Sequence, residues 1–237
     1  MTDGAGRSTL SPLQASPSLA ESAAELIRNE ILAGRFRQGE HLVEALIAEQ
    51  LNVSRGPVRE AFKLLRAEEL VQEEPRRGTF VVSIGATDVR EIYGLRAAIE
   101  GRAARLLAAV PNQQVVRELR KLYAEMGEAA AQDNVAALYA RDLAFHEGLT
   151  RLSGNGRLHG VFVRYVPTLR ALLQVDGRFL ESASDMAADH LPILEAIEAG
   201  NGALAAQLAE HHCDHAADMI SGYLASLGSE VPAATEA

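Results

Sequence analysis

The chain has a single cysteine, Cys213, no tryptophan, and only 5% aromatic residues among its 237 positions. One thiol cannot close an intrachain disulfide, so nothing in the fold depends on an oxidising compartment and redox chemistry is not indicated. No apolar run approaches the roughly 20 residues needed to cross a bilayer. The start, Met1-Thr2-Asp3-Gly4, has neither the basic nor the apolar region of a secretory signal, so a cytoplasmic location with no membrane contact is expected. Lysine and arginine are missing from everything after residue 178, although that stretch carries ten acidic side chains. Such a segment repels phosphate and welcomes a cation.

What is present is the profile of a soluble globular protein, 48% apolar and 23% charged, in a chain long enough for two cores. The formal charge of -9 excludes a protein that coats nucleic acid indiscriminately, yet residues 1 to 80 are nearly balanced, with ten basic and twelve acidic side chains. Any local basic patch therefore belongs upstream.

Periodicity divides the chain. Residues 1–18 are rich in Ser, Gly, Ala and Pro without an apolar period, which predicts a disordered arm. Ala23, Leu26, Ile27 and Ile31 recur at helical spacing from Leu19 to Ala33, before Gly34. A short helix fits Val43 to Gln50, then a corner at Leu51-Asn52-Val53. A third helix, capped by Ser54 with Pro57 in its first turn, runs from about Arg55 to Glu68. Leu70-Val71 and Thr79 to Val82, separated by a polar tip, predict a β-hairpin. After a connection at 83–87, six helices are expected near 88–109, 112–130, 134–152, 156–174, 179–199 and 203–226, followed by a flexible tail over 227–237. The fold class is mainly α: a winged helix-turn-helix over 19–82 and a six- or seven-helix antiparallel bundle over 88–226.

Arg55 and Arg59 are four apart and opposite the stripe of Val58, Ala61, Phe62 and Leu65, so both guanidinium groups point outward together. Two surface arginines alone are commonplace. Here they lie on the second helix of a helix-turn-helix, with Arg76, Arg77 and Gly78 at the tip of the hairpin. Arginine can bridge guanine O6 and N7 in a major groove, and a wing-tip arginine can enter a minor groove. Arg55 and Arg59 are assigned to bases or adjacent phosphates, Arg35, Lys63 and Arg66 to the DNA backbone, and Ser54 to the same interface.

The stretches Ile31-Leu32-Ala33-Gly34, Leu42-Val43-Glu44, Val53-Ser54-Arg55-Gly56-Pro57-Val58-Arg59-Glu60-Ala61 and Arg76-Arg77-Gly78-Thr79 resemble the winged-helix domain of GntR-type bacterial repressors. That resemblance implies sequence-specific binding to double-stranded DNA as a homodimer, on an inverted-repeat operator. Two positions depart from the pattern: Ala45 stands where some relatives carry a DNA-contacting arginine, and Glu69 where many have glycine.

In the larger segment Asp142 and His146 share one helical face. If the last two helices are antiparallel about Gly200-Asn201-Gly202, His190 and His212 each lie about 11 residues, or roughly 16 Å, from the turn, and so stand level. Asp142, His146, His190 and His212 then form an oxygen and nitrogen set suited to a divalent ion, zinc first, with nickel, manganese or iron also acceptable. Ordinary core or surface histidines are the alternative. His211 and His215 read as surface or supporting groups, and Cys213 as structural.

Arg96-Ala97-Ala98-Ile99-Glu100, Asp142-Leu143-Ala144-Phe145-His146 with Asn155, His190 with Ile193 to Ile197, and His212 resemble the all-helical effector domain of the FadR-type branch, the FCD domain. The resemblance implies a helical bundle around a cavity, in which one Asp and three His hold an ion beside an organic acid. On that pattern Arg96 is a candidate for an effector carboxylate or, alternatively, for a salt bridge to Glu100. Asn155 either caps a helix or lines the pocket, and Tyr165 and Arg170 are further pocket candidates.

The function expected is a ligand-responsive transcriptional repressor sensing a small carboxylate, not an enzyme. A metal-dependent hydrolase or lyase would explain neither the arginine helix nor the wing. A helical scaffold with a structural metal is the other alternative.

Overall fold

The computed structural model of the chain describes residues 17–110, 112–173 and 182–229. Most of the arm expected over 1–18, the tail beyond residue 229 and the break expected at Asp176-Gly177 lie outside the described residues.

Helix α1 (Leu19–Leu32) starts at a capping box: Ser18 Oγ accepts from the Glu21 amide at 3.2 Å, and the Glu21 carboxylate accepts from the Ser18 amide at 2.7 Å. Gly34, with φ of +70°, ends it in the left-handed region that a helix stop favours. Helices α2 (Glu44–Gln50) and α3 (Arg55–Ala67) turn about Asn52, whose φ is 51°. Ala23, Ile27, Ile31, Val58, Phe62 and Leu65 close a core between α1 and α3.

Ser54 occupies the N-cap of α3 but makes no capping hydrogen bond, contrary to the expectation from sequence. The reason is Pro57: it stands three residues on, where a cap usually finds its amide, and proline has no N–H to give.

The sheet has three strands instead of the two expected. β1 (His41–Leu42), β2 (Val71–Glu74) and β3 (Gly78–Val81) are antiparallel in the order β1-β3-β2, with His41 opposite Phe80 and Glu74 opposite Gly78. A two-residue strand has no alternation to detect. It exists because β3 offers it an edge and Leu42 has a core to enter.

The bundle comprises α4 (Ala86–Ala109), α5 (Gln113–Ala131), α6 (Val135–Leu152), α7 (Gly156–Leu173), α8 (Ala183–Ala188), α9 (Leu191–Glu198) and α10 (Gly202–Ser229). One core gathers Leu119, Met126, Phe145, Leu149, Ile193 and Leu194, and another Tyr93, Phe162, Leu169, Cys213 and Ile220.

One long helix was expected where α8 and α9 are found. The break falls at Asp189-His190 because Pro192, in the first turn of α9, has no amide to continue a preceding helix. His190 is consequently the N-cap residue of α9, not a mid-helix residue. Pro167, by contrast, stays inside α7.

The two parts touch at defined points. The Ile84 amide donates to Gln38 Oε1 at 3.0 Å, and Thr168 Oγ1 on α7 donates to the Glu68 carbonyl, just after α3, at 3.4 Å. Ala171 packs against the winged-helix core. Arg28 grips the Glu68 carboxylate with two hydrogen bonds of 2.6 Å, tying α1 to the same corner.

Candidate nucleic-acid interface and metal centre

Arg55, Arg59, Lys63 and Arg66 are all exposed along α3, on the side away from its buried stripe. Most of the candidate cations already face a carboxylate. Arg35 meets Glu30, Arg59 Nε donates to Glu44 Oε2 at 2.8 Å, Lys63 meets Glu60 at 2.7 Å, Arg66 meets Glu73 and Arg77 meets Glu74. Such exposed pairs are screened by water and hold weakly. A phosphate can displace them. Arg55 and Arg76 have no ion pair among the described residues. At the wing, Phe80 stacks on His41 at 4.7 Å and carries the Arg77 guanidinium over its ring at 5.1 Å. Gly78 has a φ of +111°, and a Cβ there would come within 2.5 Å of His41.

The second constellation is buried in the bundle. Asp142 and His146 come from α6, His190 from the head of α9 and His212 from α10. One donor atom from each lies within 4.8 Å of the others. His190 Nε2 is 3.1 Å from His146 Nε2 and 3.1 Å from Asp142 Oδ1, and the His190 and His212 ring centres are 4.3 Å apart.

Hydrogen bonds behind the cluster set its chemistry. His190 Nδ1 is 2.9 Å from the Met186 carbonyl, which can only accept, so that nitrogen carries the hydrogen. His146 Nδ1 donates likewise to Glu100 Oε2 at 2.5 Å. In the neutral rings both Nε2 lone pairs are thereby turned toward Asp142. This is the arrangement that metal-ligating histidines usually have, with the second ring nitrogen held by a carboxylate or carbonyl. The donor set fits a divalent ion.

Electrostatics point the same way. Burial pushes the Asp142 carboxyl up, but His146 and His190 outweigh it and hold it well below the ordinary aspartate value. Glu100 is also opposed by burial, yet Arg96 and His146 bring it down to about 2. Burial, then His190 and His146, hold His212 well below the ordinary histidine value, so its ring is neutral and able to ligate. Burial keeps the Cys213 thiol protonated, well above its usual range.

A cavity of about 150 Å³ opens beside the cluster, bounded by Tyr93, Arg96, His212 and His215 with an apolar wall at Met186 and Met219. Arg96 is 4% exposed: its Nε donates to Glu100 Oε1 at 2.7 Å and its guanidinium lies over Tyr93 at 4.6 Å. The salt bridge anticipated as an alternative role is therefore present. Its Nη1 and Nη2 make no hydrogen bond among the described residues, and Arg96 is one of the residues that line the cavity.

The other pocket candidates are elsewhere. Asn155 Oδ1 accepts from the amides of Arg157 and Leu158 at 3.1 and 3.3 Å and so caps α7, away from this cavity. Tyr165 is half-buried against the Phe162 and Leu169 core, and Arg170 is exposed. Neither borders the cavity, because the phase of α7 turns its inward face to Phe162 and Leu169. Tyr93 is not among the residues expected from sequence, and Glu100 is expected only as a salt-bridge partner of Arg96. Glu100 had a signal, being a carboxylate one helical turn from Arg96.

The model of the gntR family of bacterial regulatory proteins matches residues 19–81, and that of the FCD domain matches residues 91–215. The chain belongs to the GntR family and carries an FCD domain. This GntR protein is 32% identical over 198 residues, 82% of its length and 85% of the relative's, to a Paenarthrobacter nicotinovorans protein named "Probable D-xylose utilization operon transcriptional repressor". It is 26% identical to the gluconate operon transcriptional repressor of Bacillus subtilis (strain 168), over 82% of both chains. A solved GntR structure from Rhodococcus sp. RHA1 superposes with a TM-score of 0.71 at 28% identity, over 86% of this chain and 97% of that one. The GntR protein is thus a ligand-responsive, DNA-binding transcriptional regulator of the repressor type. Among the described residues, no helix is long and apolar enough to cross a membrane.

Proposed function

We propose that this regulator senses a small organic acid at a metal centre in its helical bundle and binds an inverted-repeat operator as a homodimer. One observation carries the sensing half: four donor atoms converge within 4.8 Å beside a cavity that is also lined by a buried arginine, Arg96. Asp142, His146, His190 and His212 would hold the ion, zinc being favoured by the imidazole-rich set, with nickel, manganese or iron acceptable. A bound divalent ion supplies positive charge and spare coordination positions for a carboxylate. Arg96 would pair with that carboxylate through Nη1 and Nη2. Membership of the FadR-type branch is part of the same proposal and rests on the sequence resemblance alone.

On the DNA side, Arg55 and Arg59 address base edges or the phosphates beside them, while Lys63, Arg66 and Arg35 address the backbone. The hydroxyl of Ser54, which caps nothing, is free for a phosphate. Arg76, Arg77 and Gly78 form the wing tip that enters a minor groove. Two such heads read two half-sites, and the bundle supplies the dimer contact.

Coupling requires the acid to favour one arrangement of the two parts. The route is short: α6 carries two of the ligands, α7 packs on α6, and Thr168 on α7 reaches the end of the DNA-reading helix. A cleft of about 570 Å³ between the wing and α4 leaves room for the head to move.

The test is a titration of the purified protein on DNA from upstream of its own gene, with a panel of sugar acids, dicarboxylates and hydroxy acids, before and after metal removal. Metal-dependent change in DNA affinity with one class of acid is the expected outcome. Unaltered affinity across the panel would favour a scaffold with a structural metal.

A further inference from the structure

Glu100 is fully buried on α4 and stands outside the proposed ligand set, yet it touches both halves of the sensor. Its Oε2 accepts from His146 Nδ1 at 2.5 Å, and its Oε1 accepts from Arg96 Nε at 2.7 Å. A neutral imidazole has one hydrogen. Fixing that hydrogen on Nδ1 fixes the lone pair on Nε2, the atom that faces His190 Nε2 at 3.1 Å and Asp142 Oδ1 at 3.5 Å.

His190 is set in the same sense by the Met186 carbonyl, which belongs to the backbone. His146 is set by a side chain, and so depends on one residue. The other oxygen of that residue anchors Arg96, which lines the cavity.

We propose that Glu100 is a positioning residue for both functions: it selects the His146 tautomer that can ligate a metal, and it aims Arg96 at the effector cavity. The proposal rests on the metal-centre reading above. It adds that the two recognition elements share one carboxylate, so an acid drawn to Arg96 acts on the same group that orients a metal ligand.

The chemistry of the amide makes a sharp test. Glutamine has the shape of glutamate but offers one accepting oxygen and one donating nitrogen, so in Glu100→Gln it cannot accept from both neighbours. The permanent charge of Arg96 claims the oxygen, which turns the amide NH2 toward His146 Nδ1. His146 then becomes an acceptor at Nδ1 and carries its hydrogen on Nε2, where the ion should bind. Removing Arg96 as well, in Arg96→Met/Glu100→Gln, frees the glutamine oxygen for His146.

Full-length, metal-free protein would be followed by nitrogen NMR at a pH above the histidine range to read the His146 tautomer, and by zinc titration against a chelator. The wild type should carry the hydrogen on Nδ1. Glu100→Gln should carry it on Nε2 and bind zinc about ten- to a hundredfold more weakly. The double variant should regain both the tautomer and most of the affinity. The proposal is overturned if Glu100→Gln keeps the Nδ1 hydrogen and its zinc affinity, or if the double variant binds zinc as poorly as the single one. Failure of the wild type to bind zinc would sink the metal-centre reading alone, since the tautomer is read without metal.

Discussion

His146 and His190 meet nitrogen to nitrogen, Nε2 to Nε2 at 3.1 Å, while the other nitrogen of each ring gives its hydrogen to Glu100 or to the Met186 carbonyl. Two lone pairs so close need a positive centre, and a proton or a metal ion can supply it. Zinc must therefore compete with protons. Burial opposes protonation of His146, but Glu100 and Asp142 outweigh it and raise its pKa above the ordinary histidine value. Competition should begin at a higher pH than for a free histidine. Zinc affinity is expected to fall steadily as the solution is taken from mildly alkaline to mildly acidic. Calorimetry in buffers of different ionisation heat should register proton release on binding. A pH-independent affinity would mean that these rings do not ligate.

The cations proposed to read DNA make a second prediction. Arg59→Ala should weaken operator binding by roughly 5- to 150-fold, equivalent to about 1 to 3 kcal/mol, and relax the preference at one base position. Lys63→Ala should instead weaken all sequences alike and flatten the salt dependence by about one unit of slope. Anisotropy titrations on operator and scrambled DNA at several salt concentrations separate the two behaviours. Equal losses on both DNAs for Arg59→Ala would remove it from the base edges.

Glu69 supports a stability prediction. Its φ of 58° puts a side-chain-bearing residue in the left-handed region, at the turn between α3 and β2, which costs it about 1 to 2 kcal/mol. Glycine relieves that strain but loses more chain entropy on folding, by about 0.5 to 1 kcal/mol. Glu69→Gly should therefore be neutral to about 1 kcal/mol more stable in thermal unfolding, with operator affinity unchanged. A clear loss of stability would show that the glutamate side chain contributes more than its backbone conformation costs.

The parts legible in the sequence are those fixed by short-range rules. The stripe of Val58, Ala61, Phe62 and Leu65 at helical spacing gave α3 and pointed Arg55 and Arg59 outward. The spacing of Asp142 to His146, and of His190 and His212 about a glycine turn, was enough to bring four candidate ligands together. What escaped depends on partners distant in sequence. β1 exists only against β3, and the orientation of Arg96 depends on Tyr93 and Glu100. His190 was assigned to the right cluster for a partly wrong reason, since Pro192 starts a new helix beneath it. Asn155 was ambiguous because capping and lining make the same demand on an amide, and only its position relative to α7 decides between them.

Acid and alkaline stability of the metal-free protein should diverge, because the buried groups shift in opposite directions. Glu100 moves from 4.5 to about 2 on folding, with Arg96 and His146 overcoming the effect of burial. Asp142 likewise falls well below 3.8, as His146 and His190 overcome burial. A depressed carboxyl stabilises the fold above its unfolded value, and the contribution disappears as pH drops through the folded one. Stability should accordingly decline from about pH 4.5 toward 2. His146 has the opposite sign: its raised value stabilises below the unfolded 6.5 and is lost as pH rises through the folded value. His212 works against it: burial, then His190 and His146, hold it well below 6.5, so below that pH the unfolded chain takes a proton that the folded ring refuses and stability is lost. The metal-free protein should thus be most stable near neutral pH. Zinc, which binds best where protons do not compete, should add most stability on the alkaline side and move the maximum upward. Melting curves across pH, with zinc and with chelator, measure this directly. If the two curves run parallel, the protons and the ion are not exchanging at the same histidines.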